Sequence, residues 1–349
     1  MTVSFIQERV GSRVDDRLAG FLETWRAPVA DPDVQAAYRL LGDFILGGGK
    51  RVRPQLCYWG WRGAGGGDCD EIISAAAALE LCHAGLLIHD DIMDGSDLRR
   101  GRATVHRGLA ALHDGPDADA FGEAGAILLG TLSLAWSDAL LASCGVEPAR
   151  LRAAQHLFDA MRTEVISGQY LDILAHRRTG ASVTAALTVI RYKTAKYTVE
   201  RPLQIGGALA GAPGELIDSY SRFGLPLGEA FQLRDDVLGT FGVSAQTGKS
   251  ALDDLREGKR TVLFAEAVRR ASPGQLAYLR AWHGNPELTE EHAAEMRAVL
   301  RDTGALARVE NMIEERVAEA VDALGAAPVE ADARAALTVL ADQLAHRTS

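Results

Sequence analysis

The residues Leu79 to Asp94 read LELCHAGLLIHDDIMD, an apolar stretch that ends in three aspartates. Its apolar residues recur at spacings of three and four, which predicts a helix. Asp90 and Asp94 lie four residues apart, so they share one helical face, one turn from each other. Like charges at this spacing repel by ~0.2–0.5 kcal/mol on an isolated helix, and acids at a helix C-terminus oppose its dipole. A bound Mg²⁺ would relieve both effects, while a solvated acidic helix end explains the three acids alone equally well.

The residues that follow this helix favour the metal-site interpretation. Arg99 and Arg100 come five and six residues after Asp94. Guanidinium groups bind phosphate through paired hydrogen bonds, and Mg²⁺ takes both carboxylate and phosphate oxygens as ligands. The acids and the arginine pair together predict a site for a metal-bridged diphosphate.

The same helical periodicity covers most of the chain, and β-branched alternation is almost absent. Short runs rich in glycine or proline separate the periodic segments. This pattern predicts one all-α domain over residues 1–349, with helices packed around a common centre. A split into two domains is the alternative, although the sequence shows no obvious seam. The predicted helices lie near residues 33–46, 71–94, 121–142, 151–175, 181–210, 214–240, 259–270, 289–302, 304–324 and 330–346.

Composition excludes several classes of protein. The 349 residues carry a formal net charge of −10, and no basic stripe is present that could neutralise nucleic-acid phosphates. The four cysteines are not spaced as zinc or redox pairs, which predicts a reduced, cytoplasmic protein. No signal peptide is visible, and the most apolar window, residues 124–136, is shorter than the ~20 residues that span a bilayer. We therefore expect no membrane span.

A second acidic pair, Asp235 and Asp236, lies near the end of another apolar segment. Gln232 precedes the two acids by three and four residues, so it lies one turn deeper on the same helical face. The sequence that follows contains Lys249 and Lys259, each beside a glycine. An ammonium group next to permissive backbone is a sound phosphate contact.

Lysine is scarce in this chain, which a coding bias toward arginine explains, but the positions of the five lysines are informative. Lys50 follows three glycines and precedes Arg53, at a predicted helix start where backbone amides favour anions. Lys193 adjoins Thr194 within an apolar segment, whereas Lys196 is explained by a side chain that reaches solvent. A solvated loop remains the alternative for Lys50. Neither glycine–lysine pair forms a nucleotide-binding P-loop, since the required earlier glycine is Phe44 or Val243.

Together these motifs resemble the trans-isoprenyl diphosphate synthases of the polyprenyl synthetase family over roughly residues 40–265. The resemblance implies an all-α, isoprenoid synthase-type helical bundle around a central cavity. It also implies a trans-prenyltransferase that condenses isopentenyl diphosphate with an allylic diphosphate, and commonly a homodimer. The matching segments are Gly48–Pro54, His83, Asp90–Asp94 with Arg99–Gly101, Lys193–Thr194, Phe231–Asp236, Gly248–Lys249 and Gly258–Thr261.

The resemblance also assigns roles to individual residues. Two to three Mg²⁺ ions are expected on Asp90, Asp94 and Asp235, with Asp91 and Asp236 as further candidate ligands. Thr194 and Gln232 would stabilise positive charge on the reacting carbon, and Gln169 with Asp172 would form an inner polar pair. The allylic diphosphate would contact Arg99, Lys193, Lys249 and Lys259, and isopentenyl diphosphate would contact Lys50, Arg53, His83 and Arg100.

The chain departs from the family pattern at Gly239, where the usual third acid of the second cluster is absent. This puts one metal ligand in doubt and leaves Asp235 available.

Product length should depend on Gly85 and Leu86, because the allylic tail would run back along the helix and one turn rises ~5.4 Å. Gly85 offers no side chain to close the pocket, which favours geranylgeranyl diphosphate. Farnesyl diphosphate and products of C25 and above remain alternatives.

Two other functions are compatible with part of the pattern. A class I terpene cyclase also uses an aspartate-rich motif, but it needs no isopentenyl site, so Lys50, Arg53 and Arg100 argue against it. A non-catalytic partner subunit would not require the charged groups of the chemistry, and all of them are present except at Gly239.

Overall fold

A computed structural model of the chain describes residues 3–113, 115–177, 180, 182–242 and 252–347. Helices dominate these residues. The sheet found among them is a two-stranded antiparallel hairpin, β1 (Leu98–Arg99) and β2 (Arg102–Ala103). The all-α prediction is confirmed.

The chain divides into two compact units, Met1–Gln155 with Ile205–Ala212, and His156–Gln204 with Pro213–Ser349. A single domain over 1–349 stays a prediction. The first unit contains α1 (Val3–Arg26), α2 (Pro32–Leu46), α3 (Val52–Gly63), α4 (Asp70–Met93), the hairpin, α5 (Val105–Ala110) and α6 (Ala118–Ala142). Helices α7 (Pro148–Arg177) and α9 (Arg201–Ala210) contribute to both units. The second unit contains α8 (Val183–Val189), a π-helix (Ile190–Glu200), α10 (Gly214–Phe241), α11 (Asp253–Glu257), α12 (Val262–Arg270), α13 (Pro273–Trp282), α14 (Glu290–Asp302), α15 (Ala305–Ala326) and α16 (Ala331–Ala345).

Helix α4 is the core helix of the first unit. Its alanines Ala75 to Ala78 are fully buried, and Leu81 and Ile88 are buried as well. Small side chains let α6 pack closely, and Ser133 on α6 donates to the carbonyl of Leu81 over 2.8 Å. A helix that is apolar on all sides belongs in a core. Most of α4 is therefore buried, and its acidic C-terminal end lies at the surface.

Two helices among the described residues, α4 and α6, are long and apolar enough to cross a membrane. The expectation of an apolar window too short to span is therefore wrong for α6, which extends over residues 118–142. Burial accounts for α4, whose apolar window is 78% buried, but that of α6 is only 44% buried. Helix α6 exposes Phe121, Ile127 and Leu128.

Helix α10 organises the second unit and packs against the π-helix, α15 and α16. Its buried face includes Leu233 and Val237. On another face, Arg234 makes two hydrogen bonds to Glu310 of α15, of 2.8 and 2.7 Å, and one of 2.7 Å to the carbonyl of Ala345. These contacts fix the end of α10 that carries the second acidic pair.

The predicted single helix over 181–210 is interrupted by the π-helix, which sequence periodicity did not indicate. A π-helix is wider than an α-helix and is frequently found at functional sites. Glycines on both neighbouring helices make room for it. A Cβ at Gly168 of α7 would lie 2.3 Å from the backbone nitrogen of Lys193, and one at Gly228 of α10 would lie 2.4 Å from the Cα of Ala195.

The N-terminal helix α1 was not predicted either, although it has a clear apolar face. Val10, Val14, Leu18 and Phe21 recur at spacings of four, four and three, and all are buried. Helix α1 packs against α4 and α3. Helix α1 also contacts the loop that leads into α3, where Asp15 accepts a hydrogen bond from Arg51.

Candidate functional site

The first acidic cluster occupies the last turn of α4, where its three aspartates have different surroundings. Asp91 is 1% exposed, and Arg99 holds it with Nε at 2.7 Å and Nη2 at 2.6 Å from the same carboxylate oxygen. Asp90 is more exposed and lies 3.6 Å from Arg99 Nη2. Asp94 ends the helix, and its backbone amide donates to the carbonyl of Asp90.

Asp91 differs in this way from the other two acids, and its role as a metal ligand stays a prediction. Its carboxylate is buried and committed to Arg99, so it holds the guanidinium rather than facing solvent. Burial acts to lower the pKa of Arg99, but the hydrogen bond to Asp91 and the charges of Asp90 and Asp94 raise it above its ordinary value. Arg99 is therefore a permanent, fixed cation beside the two remaining acids.

The four residues predicted to bind isopentenyl diphosphate come together in the first unit. Lys50 lies exposed in the loop before α3, and Arg53 lies in the first turn of that helix. Arg100, in the hairpin, donates a hydrogen bond to the carbonyl of Gly48 in the same loop. Desolvation, followed by the charges of Arg53 and Arg100, lowers the pKa of His83 well below its ordinary value. His83 is therefore a neutral imidazole within reach of several cations.

A cavity of about 280 Å³ opens beside this cluster. It lies among the end of α2, the hairpin and the start of α5. Its lining includes Arg99, Arg100 and Arg102, with Phe44 and Val105 as apolar walls. The charge of these arginines suits it to an anionic group.

In the second unit, a chain of hydrogen bonds links the π-helix to α10. The hydroxyl of Thr194 donates to the side-chain oxygen of Gln232 over 2.7 Å. The side-chain nitrogen of Gln232 in turn donates to a carboxylate oxygen of Asp236 over 2.8 Å. The structure thus brings together the predicted pair Thr194 and Gln232, and Asp236 fixes the orientation of the amide.

Lys193 is held by an acid of α7. Its Nζ lies 2.7 Å from Asp172, and both side chains are about a quarter exposed. Gln169 is half-buried one turn earlier on α7. The predicted polar pair on α7 and the lysine therefore belong to one neighbourhood.

Asp235, the first acid of the second cluster, pairs with a residue that sequence reasoning missed. Arg347 donates from Nη2 to Asp235 over 2.7 Å, and its guanidinium carbon lies 4.2 Å from the ring centroid of Phe231. No local pattern singles out this arginine, because 112 residues separate it from Asp235. Only the return of α16 to α10 brings the two together.

Lys259 lies at a tightly held turn. Its Nζ is 3.3 Å from Glu257, and its backbone carbonyl accepts a hydrogen bond of 3.1 Å from His283 Nε2. Burial, and then the charge of Arg260, lowers the pKa of His283 to about 3. The neutral imidazole therefore clamps the backbone of Lys259. The other predicted phosphate-binding lysine, Lys249, lies outside the described residues.

No group of three or more His, Cys, Asp and Glu side chains that could hold a metal ion occurs in the described parts of the chain. Mg²⁺ usually takes one or two carboxylates from a protein and completes its shell with waters and substrate phosphates. Asp90 and Asp94, one turn apart, supply carboxylates of that kind.

The expected open space at Gly85 is not present. A Cβ there would lie 2.7 Å from the carbonyl oxygen of Gly130 and 3.0 Å from Leu134 Cγ. Gly85 therefore permits the close packing of α4 on α6, and the prediction that it leaves room for an allylic tail is wrong. Leu86, the next residue, is half-buried.

The chain is similar in sequence to known proteins over most of its length. Residues 34–300 match the family described as Polyprenyl synthetase. The chain is 31% identical over 308 residues to the geranylfarnesyl diphosphate synthase of Aeropyrum pernix, covering 87% of this chain and 92% of that protein. It is 30% identical to the geranylgeranyl diphosphate synthase of Methanosarcina mazei, covering 82% and 81% of the two chains.

A solved structure is similar over nearly the whole chain. The geranylgeranyl pyrophosphate synthase of Corynebacterium glutamicum, complexed with isoprenyl diphosphate and magnesium, superimposes with a TM-score of 0.94. The two sequences are 39% identical, and the alignment covers 98% of this chain and 99% of that one.

Proposed function

This chain belongs to the polyprenyl synthetase family and is a trans-prenyltransferase, and we propose that it condenses isopentenyl diphosphate with an allylic diphosphate, head to tail. The observation that carries the proposal is a pair of charged clusters of different chemistry in the first unit. One is the metal-free basic cluster of Lys50, Arg53, His83 and Arg100. The other is the pair Asp90 and Asp94 beside Arg99. A reaction between two diphosphates needs both.

The basic cluster would bind isopentenyl diphosphate without a metal. Lys50, Arg53 and Arg100 supply positive charge and several hydrogen-bond donors. His83, held neutral by desolvation and by its cationic neighbours, adds one donor without adding repulsion. The diphosphate would remain intact there, because the group that leaves belongs to the other substrate.

In the first unit, Asp90 and Asp94 would bind the allylic diphosphate through Mg²⁺, and Asp235 of the second unit is a further proposed Mg²⁺ ligand. When bound, Mg²⁺ neutralises phosphate charge and makes the diphosphate a better leaving group. Arg99, fixed by Asp91, would contact a phosphate oxygen directly. Lys193, Lys249 and Lys259 would add further contacts.

The reaction would then proceed by ionisation and coupling. The bond between the allylic carbon and its diphosphate oxygen breaks, and the electron pair leaves with the diphosphate. The oxygens of Thr194 and Gln232, oriented by their mutual hydrogen bond, stabilise the resulting allylic cation. The double bond of isopentenyl diphosphate attacks this cation, and the proton lost from the new cation passes to the released diphosphate.

The proposed product is geranylgeranyl diphosphate, with farnesyl and longer products as alternatives. Support comes from relatives that carry the name geranylgeranyl diphosphate synthase, although another similar relative is named for geranylfarnesyl diphosphate. Gly85 no longer supports the choice, since it packs against α6. Chromatography of the products formed from each allylic primer tests it, and a main product other than C20 would contradict it.

We also propose a homodimer formed through the exposed apolar face of α6. Phe121, Ile127 and Leu128 are 44%, 50% and 71% exposed. Covering such a face stabilises an assembly by roughly 25 cal/mol per Å² of buried apolar surface. A Leu128→Glu variant should be monomeric by light scattering, and an unchanged mass would contradict this interface.

The four described cysteines are free thiols, which is compatible with the proposed cytoplasmic location.

The decisive experiment compares reactions with and without isopentenyl diphosphate, in the presence of Mg²⁺. The expected result is a longer prenyl diphosphate only when both substrates are present. A hydrocarbon formed from farnesyl diphosphate alone would instead identify a terpene cyclase. A Lys50→Ala variant should raise the KM for isopentenyl diphosphate and leave that for the allylic substrate nearly unchanged.

A further inference from the structure

We propose that Arg51 and Glu80 are positioning residues for the basic cluster: their buried ion pair holds Lys50 and Arg53 in the geometry that binds isopentenyl diphosphate. The inference rests on the proposed function of that cluster. Neither residue belongs to the proposed ligand set. Both act through the backbone and side chains of their neighbours.

The guanidinium of Arg51 is enclosed by partners from three helices. It donates from Nη1 to Glu80 of α4 over 2.5 Å, from Nε to Asp15 of α1 over 2.8 Å, and from Nη2 to the carbonyl of Ile45 in α2 over 3.0 Å. The side chain of Arg51 is 3% exposed and that of Glu80 is 6% exposed. Arg51 is therefore shut off from substrate, although it lies between two predicted ligands in sequence.

The backbone at Arg51 is strained. Its φ is +47°, in the left-handed region, and that of Arg100 is +53°. These are the two non-glycine residues with positive φ in the described part of the chain, and both belong to the loops of the basic cluster. Such conformations persist only where the surroundings fix them, and they concentrate at functional sites. The two buried partners of the Arg51 side chain, Glu80 and the carbonyl of Ile45, provide that fixation.

Fixing Arg51 also fixes the residues on either side. The carbonyl of Arg51 accepts a hydrogen bond from the backbone amide of Gln55, in the first turn of α3. The side chain of Gln55 donates to the carbonyl of Lys50 over 2.9 Å. The first turn of α3 carries Arg53. The position of one buried guanidinium therefore determines where the exposed Lys50 and the half-buried Arg53 point.

Glu80 contributes a second effect, because it is the buried counter-charge of a cationic site. It precedes His83 by three residues on α4, so the two share a helical face. The pKa of Arg100 lies below its ordinary value, because desolvation and the charge of Arg51 lower it. The carboxylate of Glu80 opposes this shift. Glu80 thus offsets repulsion that would drive the cations apart before a diphosphate arrives.

Steady-state kinetics with each substrate varied in turn test this inference. For Glu80→Gln, and for the second variant Arg51→Lys, the KM for isopentenyl diphosphate should rise on the order of 10-fold, as expected when a charged hydrogen bond is weakened. The KM for the allylic diphosphate should change less than about twofold, within the range of a weak surface interaction. Thermal protection by isopentenyl diphosphate alone, without turnover, should fall in parallel.

Two controls separate positioning from general loss of stability. Asp15→Asn removes the negative charge of the half-exposed partner of Arg51. Because solvent screens this ion pair, either KM should change by less than about twofold. Ile72→Val truncates a buried side chain of α4 far along the helix from the acids, and should lower the melting temperature without changing the ratio of the two KM values.

The outcomes distinguish this inference from the proposed function. If Lys50→Ala leaves the KM for isopentenyl diphosphate unchanged, the basic cluster is not its binding site. If Lys50→Ala raises that KM but Glu80→Gln and Arg51→Lys leave it unchanged, or raise both KM values equally, the positioning role is wrong. Should Glu80→Gln not fold, Arg51→Lys decides alone, since it keeps the buried charge and loses only the forked geometry.

Discussion

Replacing Arg347 with alanine should lower the Mg²⁺ concentration that the enzyme needs. In the structure, Arg347 occupies a carboxylate oxygen of Asp235 at 2.7 Å, and Asp235 is a proposed metal ligand. A cation that binds this carboxylate must first displace the guanidinium. Removing Arg347 removes that competition.

The size of the effect follows from the exposure of the pair. The side chain of Asp235 is 55% exposed, so solvent screens the ion pair, which contributes ~0–1 kcal/mol. The contact of Arg347 with the ring of Phe231 adds ~0.5–1 kcal/mol. Because the metal has to overcome about 0.5–2 kcal/mol in total, half-saturation should shift by roughly 2- to 30-fold.

The assay is a Mg²⁺ titration of product formation at saturating concentrations of both substrates. Arg347→Ala should reach half-maximal rate at a lower Mg²⁺ concentration than the unaltered enzyme. His346→Ala is the matched control, because His346 pairs with Glu314 and Asp342 instead of Asp235. An unchanged midpoint would show that Arg347 does not compete with the metal, and a higher one would mean that it helps to bind the substrate.

Three further predictions follow from contacts in the second unit. Thr194→Val removes the donor to Gln232 and should lower kcat on the order of 10-fold. Equal rate constants of variant and unaltered enzyme in single-turnover assays would contradict the charge-stabilising role. Gly168→Ala places a Cβ 2.3 Å from the backbone of Lys193, so both kcat and the melting temperature should fall, whereas Ser167→Ala, on the exposed side of α7, should change neither. Because the pKa of His283 is about 3 in the folded state and ~6.5 when unfolded, the unfolded state takes up the proton first. The free energy of unfolding should therefore fall as the pH drops below about 6.5, and His283→Gln should flatten this part of the denaturation profile measured against pH.

Much of the fold follows from patterns that repeat locally. The apolar run of residues 71–94 predicts α4, and its acidic end predicts where the helix meets solvent. The periods of three and four likewise predict α2, α6, α7, α10 and the C-terminal helices close to their observed bounds. Such patterns are informative because a helix repeats every 3.6 residues, so neighbours in the sequence already determine which face is buried.

The π-helix could not be predicted in this way. Its sequence has the apolar content of an ordinary helix, and its width depends on two glycines in other helices, Gly168 and Gly228. Gly85 illustrates the same limitation in reverse. As a sequence feature it indicated an open pocket, but the neighbouring helix fills that space with the backbone of Gly130.

Sequence by itself determined the helical class, the two acidic clusters and the identity of the cationic residues, because residue type and spacing carry that information. Tertiary structure alone decided which charges are available for binding. Asp91 turns inward to Arg99, Arg51 is buried against Glu80, and Arg347 reaches Asp235 across 112 residues. The physical reason is that the partner of each charge is set by packing between helices that are distant in sequence, and residue type and spacing do not record that packing.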